Sequence, residues 1–247
     1  MQVKSLFVTG TDTGVGKTIV IACLISVFKK YQIDVGVMKP IETGVDSNCS
    51  SSANSDALFL MEVAGCEDSL AEVSPIRLKP AASPYQAALL ENRHLDVESI
   101  KENLDRLSAR HDCMLVEGIG GLLVPITTSY SVEDLIIELG LPVIVVARNQ
   151  VGTLNHTLLT LRAAKQKGIS VCGVILNQTR PEDPTEIERG QAKIIQELSG
   201  IPVLGECPYF ESVNAHGLAP SEIESFGQNI NLELLGLEKI KKGVSNS

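Results

Sequence analysis

The segment that most constrains the fold of this chain is Gly10-Thr11-Asp12-Thr13-Gly14-Val15-Gly16-Lys17-Thr18, set between the apolar run Leu6-Phe7-Val8 and a helix-like stretch from Ile19 to Val27. A buried strand that turns through glycines into a helix aims backbone N–H groups at one point, where the positive end of the helix also lies. Lys17 adds a charge for the outer phosphates of a nucleotide, and Thr18 a hydroxyl for Mg²⁺. Gly14, Val15, Gly16, Lys17, Thr18 and Ile19 are therefore the expected nucleotide-binding residues. The spacing departs from the strict pattern, because Thr11 occupies the place of the first glycine and Gly10 comes one position early. A glycine-rich turn without a ligand accounts less well for Gly-Lys-Thr between a strand and an apolar helix.

The rest of the chain supplies the sheet that such a loop needs. Leu6–Thr9, Val35–Lys39, Cys113–Glu117, Val143–Ala147, Val171–Leu176 and Val203–Gly205 read as strands. Lys17–Tyr31, Ser55–Ala64, Pro84–Glu91, Val97–Arg110, Val132–Leu139, Leu154–Lys167 and Glu186–Leu198 read as helices. This alternation predicts an α/β fold of the P-loop NTPase type: a mostly parallel sheet with helices on both faces and ligands at the carboxyl ends of the strands. At 247 residues, one domain spanning 1–247 is expected. Trp is absent and aromatics are 4%, so the core must be built from Val, Ile, Leu and Ala.

Charge and cysteine usage exclude several classes. With 21 Lys and Arg against 30 Asp and Glu, the formal charge is −9, which opposes a general nucleic-acid or anionic-membrane binder. The six cysteines form no Cys-x-x-Cys pair and stand near no His cluster, so reduced thiols are expected and zinc is not. No apolar run approaches the length of a membrane span, and strand structure is expected within a few residues of Met1, so the location read from the chain is cytoplasmic. Two segments suggest surface elements. Serine-rich Asp46–Asn54 reads as a loop able to act as a lid, and Leu232–Val244 as a short helix packed on its own domain, with a membrane anchor the weaker reading.

Polar residues just past strand ends supply the second half of a site. Glu117, closing the apolar strand Met114-Leu115-Val116 and followed by Gly118, Ile119 and Gly120, suits Mg²⁺ and a close approach to phosphate. Asp56 stands at a helix start, where capping and metal binding are equally open readings. Lys39 ends a strand before Pro40, which stops further pairing, and must either snorkel out or meet anions at the strand's carboxyl edge. Two lysines facing one γ-phosphate exceed what a nucleotide switch needs, so a second anion is expected to react beside it.

Together Gly10–Thr18, Lys39-Pro40 with Thr43-Gly44, Asn54-Ser55-Asp56-Ala57, Val116–Gly121, Val151–His156 and Asn177 resemble the ATP-dependent dethiobiotin synthetase family, in order and spacing, over nearly the whole chain. Thr11 in the glycine position belongs to that family's pattern. The resemblance implies closure of a ureido ring on 7,8-diaminononanoate with CO₂ and ATP through a carbamate and a carbamic-phosphoric anhydride. It implies that Lys17 and Lys39 bridge carbamate and phosphate, and that Thr18, Asp56 and Glu117 hold Mg²⁺. Thr11 and Thr43 would meet the diamine or carbamate end. Asn177 and Gln178 would meet the adenine, with Pro208, Tyr209 and Phe210 lining its pocket. Gly152, Thr153, Leu154 and Asn155 would bind the substrate carboxylate from the partner subunit of a homodimer, with His156 as no general base. Glu42 departs from the pattern by placing a negative charge beside the diamine end, there to hold an ammonium or to face solvent.

Three other classes compete. An ATP-driven dimerising switch of the partitioning type carries a further lysine inside the phosphate loop, absent from Thr11–Val15. A cobyrinate-type amidating ligase needs a glutamine-hydrolysing domain that this length does not accommodate. A small-molecule kinase needs lid arginines, and Asp46–Asn54 contains none.

Overall fold

The computed structural model describes residues 5–45, 55–211 and 219–235. The lid segment Asp46–Asn54 and the end of the expected tail helix lie outside them. Among the described residues there are eight strands: β1 (Leu6–Gly10), β2 (Val35–Met38), β3 (Ile41–Thr43), β4 (Ile76–Leu78), β5 (Cys113–Glu117), β6 (Val143–Arg148), β7 (Val171–Asn177) and β8 (Val203–Cys207). The helices are α1 (Lys17–Lys30), α2 (Asp56–Ala64), α3 (Leu70–Val73), α4 (Pro84–Leu90), α5 (Glu98–Ser108), α6 (Val132–Leu139), α7 (Thr153–Gln166), α8 (Glu186–Arg189), α9 (Gln191–Ser199) and α10 (Pro220–Asn229).

Six strands form one parallel sheet in the order β2-β5-β1-β6-β7-β8. Every residue of β1 and β5 is buried, as uninterrupted apolar runs require when helices cover both faces. The order decides where the chemistry goes. β1 lies between β5 and β6, with Val8 opposite Glu117 and Gly10 opposite Val146, while Met38 of β2 pairs with Val116. The carboxyl ends of β2, β5 and β1 therefore stand side by side and deliver Lys39, Glu117 and the phosphate loop to one edge. Helix α1 is buried continuously from Val20 to Phe28, and its far end is tied down where Lys29 Nζ donates to the Val63 and Ala64 carbonyls closing α2, both at 3.0 Å.

The structure departs from the sequence reading in four places. Ile41–Thr43, read as a turn, pairs in parallel with Ile76–Leu78 as a separate two-stranded sheet. Three-residue strands are too short to show an alternation, and Pro40 masks the first of them. The helix expected over Glu186–Leu198 divides at Gly190 into α8 and α9. α3 and α10 had no distinct sequence signal. Strand β8 runs to Cys207, and its outer edge is covered by the chain near residue 230. There Gly205, at φ 149°, bridges Ile230, and a Cβ at that glycine would lie 1.8 Å from the Asn229 carbonyl oxygen. The described part of the tail ends in a 3₁₀ turn, Leu232–Leu235, whose Leu235 is buried. No helix among the described residues is long and apolar enough to cross a membrane.

Phe7, fully buried in β1, packs its ring where a Cβ on Gly118 would come within 2.7 Å, so it supports the turn after Glu117. Phe7→Ala is expected to destabilise the chain by about 3–5 kcal/mol, read as a lower urea midpoint at unchanged slope.

Candidate active site

The phosphate loop is held by close approaches that admit no side chain. Gly14 and Gly16 lie at φ 69° and 89°, and a Cβ on Gly16 would meet Asn177 Nδ2 at 2.0 Å. Gly10, one place early by motif spacing, sits where a Cβ would lie 2.8 Å from the Asp12 carbonyl and 3.1 Å from Lys17 Nζ. The Asp12 carbonyl and the Val15 side chain, each 2.8 Å from such a Cβ, thus require the glycine, and Lys17 folds back over it to donate to the Asp12 carbonyl at 3.2 Å. Arg148, closing β6, donates to the carbonyls of Thr13 at 2.7 Å and Gly14 at 3.5 Å, which ties two of the loop's acceptors to the sheet.

A compact charge cluster stands beside the loop. Lys39 Nζ donates to Glu117 Oε1 at 2.5 Å and to Asp56 Oδ2 at 2.7 Å, and Thr18 Oγ1 donates to the same Glu117 oxygen at 2.9 Å. Burial by itself would discharge Lys39, but Glu117 and Asp56 outweigh it and hold the ammonium above the ordinary lysine range. Burial draws Lys17 below that range, with Glu117 pulling the other way and the Lys39 charge adding to the depression. Complete burial lifts Glu117 above the usual carboxylate range against the opposing pull of Lys39, and Asp56 raises it further.

Glu117 Oε2 is buried and has no hydrogen-bond partner among the described residues. Among the described residues no group of three or more His, Cys, Asp and Glu gathers as a metal cage. Two carboxylates, one hydroxyl and an open side toward the phosphate loop are instead a donor set that fits Mg²⁺, which keeps water and phosphate oxygens among its ligands. The cluster borders a cavity of about 660 Å³ lined by Lys17, Thr18, Lys39, Thr43, Asp56 and Glu117, among others.

Comparison with known proteins decides the family. The AAA domain family (AAA_26) matches residues 4–216. ATP-dependent dethiobiotin synthetase BioD of Thermodesulfovibrio yellowstonii is 41% identical over 89% of this chain and 95% of that protein. The BioD of Bacillus subtilis is 34% identical over 94% of this chain and 97% of that protein. The chain belongs to the ATP-dependent dethiobiotin synthetase family. Among solved structures, the MinD cell division protein of Aquifex aeolicus aligns with a TM-score of 0.54 at 14% identity, covering 99% of this chain and 98% of that one. A ParA family ATPase from Chlorobium tepidum aligns with a TM-score of 0.50 at 15% identity, covering 95% and 97%. These two share the fold.

About half of the residues that the family resemblance singles out meet at the 660 Å³ cavity: Gly14, Gly16, Lys17, Thr18, Ile19, Lys39, Thr43, Asp56, Glu117, Ile119 and Gly120 all line it. Val15 is buried beneath the loop, and Gly118 packs against Phe7 and the Val8 carbonyl. Thr11 is not among the lining residues; its N–H donates to the Val146 carbonyl at 3.0 Å. Asn177 is the last residue of β7 rather than the first beyond it. Its Nδ2 donates to the Val15 carbonyl at 2.9 Å, leaving a buried Oδ1 with no hydrogen-bond partner among the described residues. Gln178, Pro208 and Tyr209 line a second cavity, of about 790 Å³, and Phe210 packs against the core. Thr153 and Leu154 open α7 away from both cavities. Gly152 precedes them at φ 97°, and Asn155 borders a third cavity.

Three functional contacts escaped the sequence reading. Ser55, not Asp56, caps α2 by accepting from the Leu58 N–H at 3.3 Å, which leaves the Asp56 carboxylate free to face Lys39. Glu42 neither faces solvent nor stands open to an ammonium, since it is buried against Arg77, Ser55 and the Ala57 N–H. Arg148 had a signal, its place at the carboxyl end of a central strand, but that strand was read as ending at Ala147.

Because the folded chain holds Lys17 below its unfolded pKa, the stability from this group is present above the unfolded pKa and lost as pH falls through the folded one. At neutral pH its ammonium is a net burden on the nucleotide-free chain. Lys17→Met is expected to raise the melting temperature of the nucleotide-free chain while abolishing ATP binding, measured by scanning calorimetry and titration calorimetry.

Proposed function

We infer that the chain is an ATP-dependent cyclo-ligase that closes the ureido ring of dethiobiotin from 7,8-diaminononanoate and CO₂, releasing ADP and phosphate. The observation that carries this is the meeting of Lys17, the first residue of α1, and Lys39, the residue after β2, around buried Glu117 at a single cavity. One substrate amine captures CO₂ as a carbamate. The carbamate oxygen attacks the γ-phosphorus and ADP leaves, giving a carbamic-phosphoric anhydride. The second amine then attacks the anhydride carbonyl, loses a proton and expels phosphate, closing the ring. Two anions must approach in the middle step, and a pair of fixed ammonium groups in a dry site offsets their repulsion without reorganising at the moment of reaction.

In this reading Gly14, Val15, Gly16, Lys17, Thr18 and Ile19 cradle the triphosphate, with Glu117, Gly118, Ile119 and Gly120 closing the other side. Lys39 and Lys17 hold carbamate and γ-phosphate, while Thr11 and Thr43 orient the diamine end. Thr18, Asp56 and Glu117 would hold Mg²⁺, a role supported by the unpartnered Glu117 Oε2. That cation, when bound, would neutralise charge on the phosphate oxygens. Asn177, with Gln178, Pro208, Tyr209 and Phe210, would take the adenine, supported by the unsatisfied Asn177 Oδ1.

The substrate carboxylate would be met by Gly152, Thr153, Leu154 and Asn155 of a second subunit in a cytoplasmic homodimer, with 1–247 acting as one domain. Supporting this are the separation of these residues from their own chain's cavity and the 74% exposure of Val151 beside them.

Phosphate release from ATP, with Mg²⁺ and bicarbonate, is expected only when the diamine is added, and one dethiobiotin should appear by mass spectrometry for each phosphate. Slow release indifferent to the diamine would instead favour a switch ATPase. Lys39→Ala is expected to bind ATP within a few-fold of the parent while turnover falls by about 10²–10³. Parallel loss of binding and turnover would remove Lys39 from the reacting centre.

A further inference from the structure

We propose that Glu42 is a positioning residue for Asp56, and that the accessory sheet of β3 and β4 serves to hold it. The inference rests on the metal role proposed above for Thr18, Asp56 and Glu117. Glu42 is 3% exposed, and a carboxylate so deeply buried needs both charge and hydrogen-bond compensation. Arg77 supplies charge. It stands opposite Glu42 in the β3–β4 register, itself 9% exposed, with Nε 3.4 Å from Glu42 Oε2.

The remaining contacts of Glu42 reach across to α2 on either side of Asp56. Ser55 Oγ donates to Oε2 at 2.9 Å, and the Ala57 N–H donates to Oε1 at 3.2 Å. Both oxygens are thus engaged within the protein, so Glu42 borders the cavity without being free to receive a substrate ammonium. Asp56 needs this support. Its side chain is 48% exposed and meets Lys39 at 2.7 Å, so the aim of its carboxylate depends on the backbone beneath it. Glu42 grips the residue before and the residue after, and Ser55, while donating to Glu42, also accepts from the Leu58 N–H to start the helix. Lys39 and Thr43 flank Glu42 in the same short stretch. One buried carboxylate thereby sets Asp56 relative to Lys39 and the phosphate loop.

The test uses the full chain, with Mn²⁺ binding followed by electron paramagnetic resonance in the presence of ADP, nucleotide binding measured in EDTA, and the KM for the diamine. Glu42→Ala is expected to need about tenfold more Mn²⁺ for half-saturation, with metal-free nucleotide binding and diamine KM unchanged. Glu42→Gln, which keeps an acceptor for Ser55, should recover most of the lost affinity. Unchanged Mn²⁺ affinity in folded Glu42→Ala overturns the proposal, as does a raised diamine KM at unchanged Mn²⁺ affinity, which would hand Glu42 to the substrate instead.

If circular dichroism shows Glu42→Ala unfolded, Ser55→Gly removes the side-chain half of the link, leaving the Ala57 N–H bond and Glu42 beside Arg77. It should weaken Mn²⁺ binding in the same direction, and an unchanged affinity there is again fatal. Asp56→Asn separates the two readings. If it leaves Mn²⁺ affinity intact, the metal role of Asp56 falls and this inference with it. If it weakens Mn²⁺ and Glu42→Ala does not, this inference alone falls.

Discussion

The site depends on keeping two ammonium groups and a carboxylate out of water at the end of a parallel sheet. Lys17, Lys39 and Glu117 are all nearly inaccessible, and charges in that position are stable only if each has a partner at hydrogen-bonding distance. Glu117 serves Lys39 and Thr18 through a single oxygen, while its second oxygen is unpartnered among the described residues. Lys17 leans on a backbone carbonyl. The cluster is therefore incompletely satisfied in the nucleotide-free chain, and phosphate oxygens with a divalent cation would complete it. A site arranged this way spends folding stability on readiness for anions, a common trade at catalytic centres.

The sheet order converts that electrostatic demand into sequence constraints. Because β5 lies between β2 and β1, the residue ending β5 must serve neighbours on both sides, and a carboxylate there accepts from Lys39 and from Thr18 while balancing the buried ammonium charge. The glycines after Glu117 follow from packing, since Phe7 and the Val8 carbonyl occupy the space a side chain on Gly118 would take. Gly10 follows from its own loop, where the Asp12 carbonyl and the Val15 side chain occupy the space a Cβ would take. The glycine-rich turn after β5 thus reflects contacts between residues far apart in the chain, and the phosphate-loop anomaly reflects contacts within the loop.

What could be read from the sequence was what local pattern encodes. Long apolar runs announced β1, β5, β6 and β7, and Gly-Lys-Thr announced the loop, because each signal lies within a dozen residues. The contacts that define the finer geometry are non-local. Glu42 finds Arg77 thirty-five positions later and Ser55 thirteen later, with no periodicity to reveal either, and strands as short as β3 and β4 carry no alternation. Asp56 was ambiguous for a related reason: a capping residue and a site carboxylate look alike at a helix start, and only the observed Ser55 cap separates them.

The likeness to MinD and ParA proteins shows how little of the chemistry resides in the fold. At 14–15% identity the backbone is shared with proteins titled as a cell-division factor and a ParA family ATPase, whereas relatives at 34–41% identity are named dethiobiotin synthetases. In the reading proposed above, the difference lies in a few side chains just past strand ends. A lysine inside the phosphate loop would be carried by a turn whose carbonyls Arg148 already braces. The lysine that follows β2 borders the same cavity as that turn and stands beside Glu117 and Asp56. In the reading proposed above, a second cation carried by a neighbouring strand rather than by the loop leaves the nucleotide cradle to the loop and gives an attacking anion its place between Lys17 and Lys39.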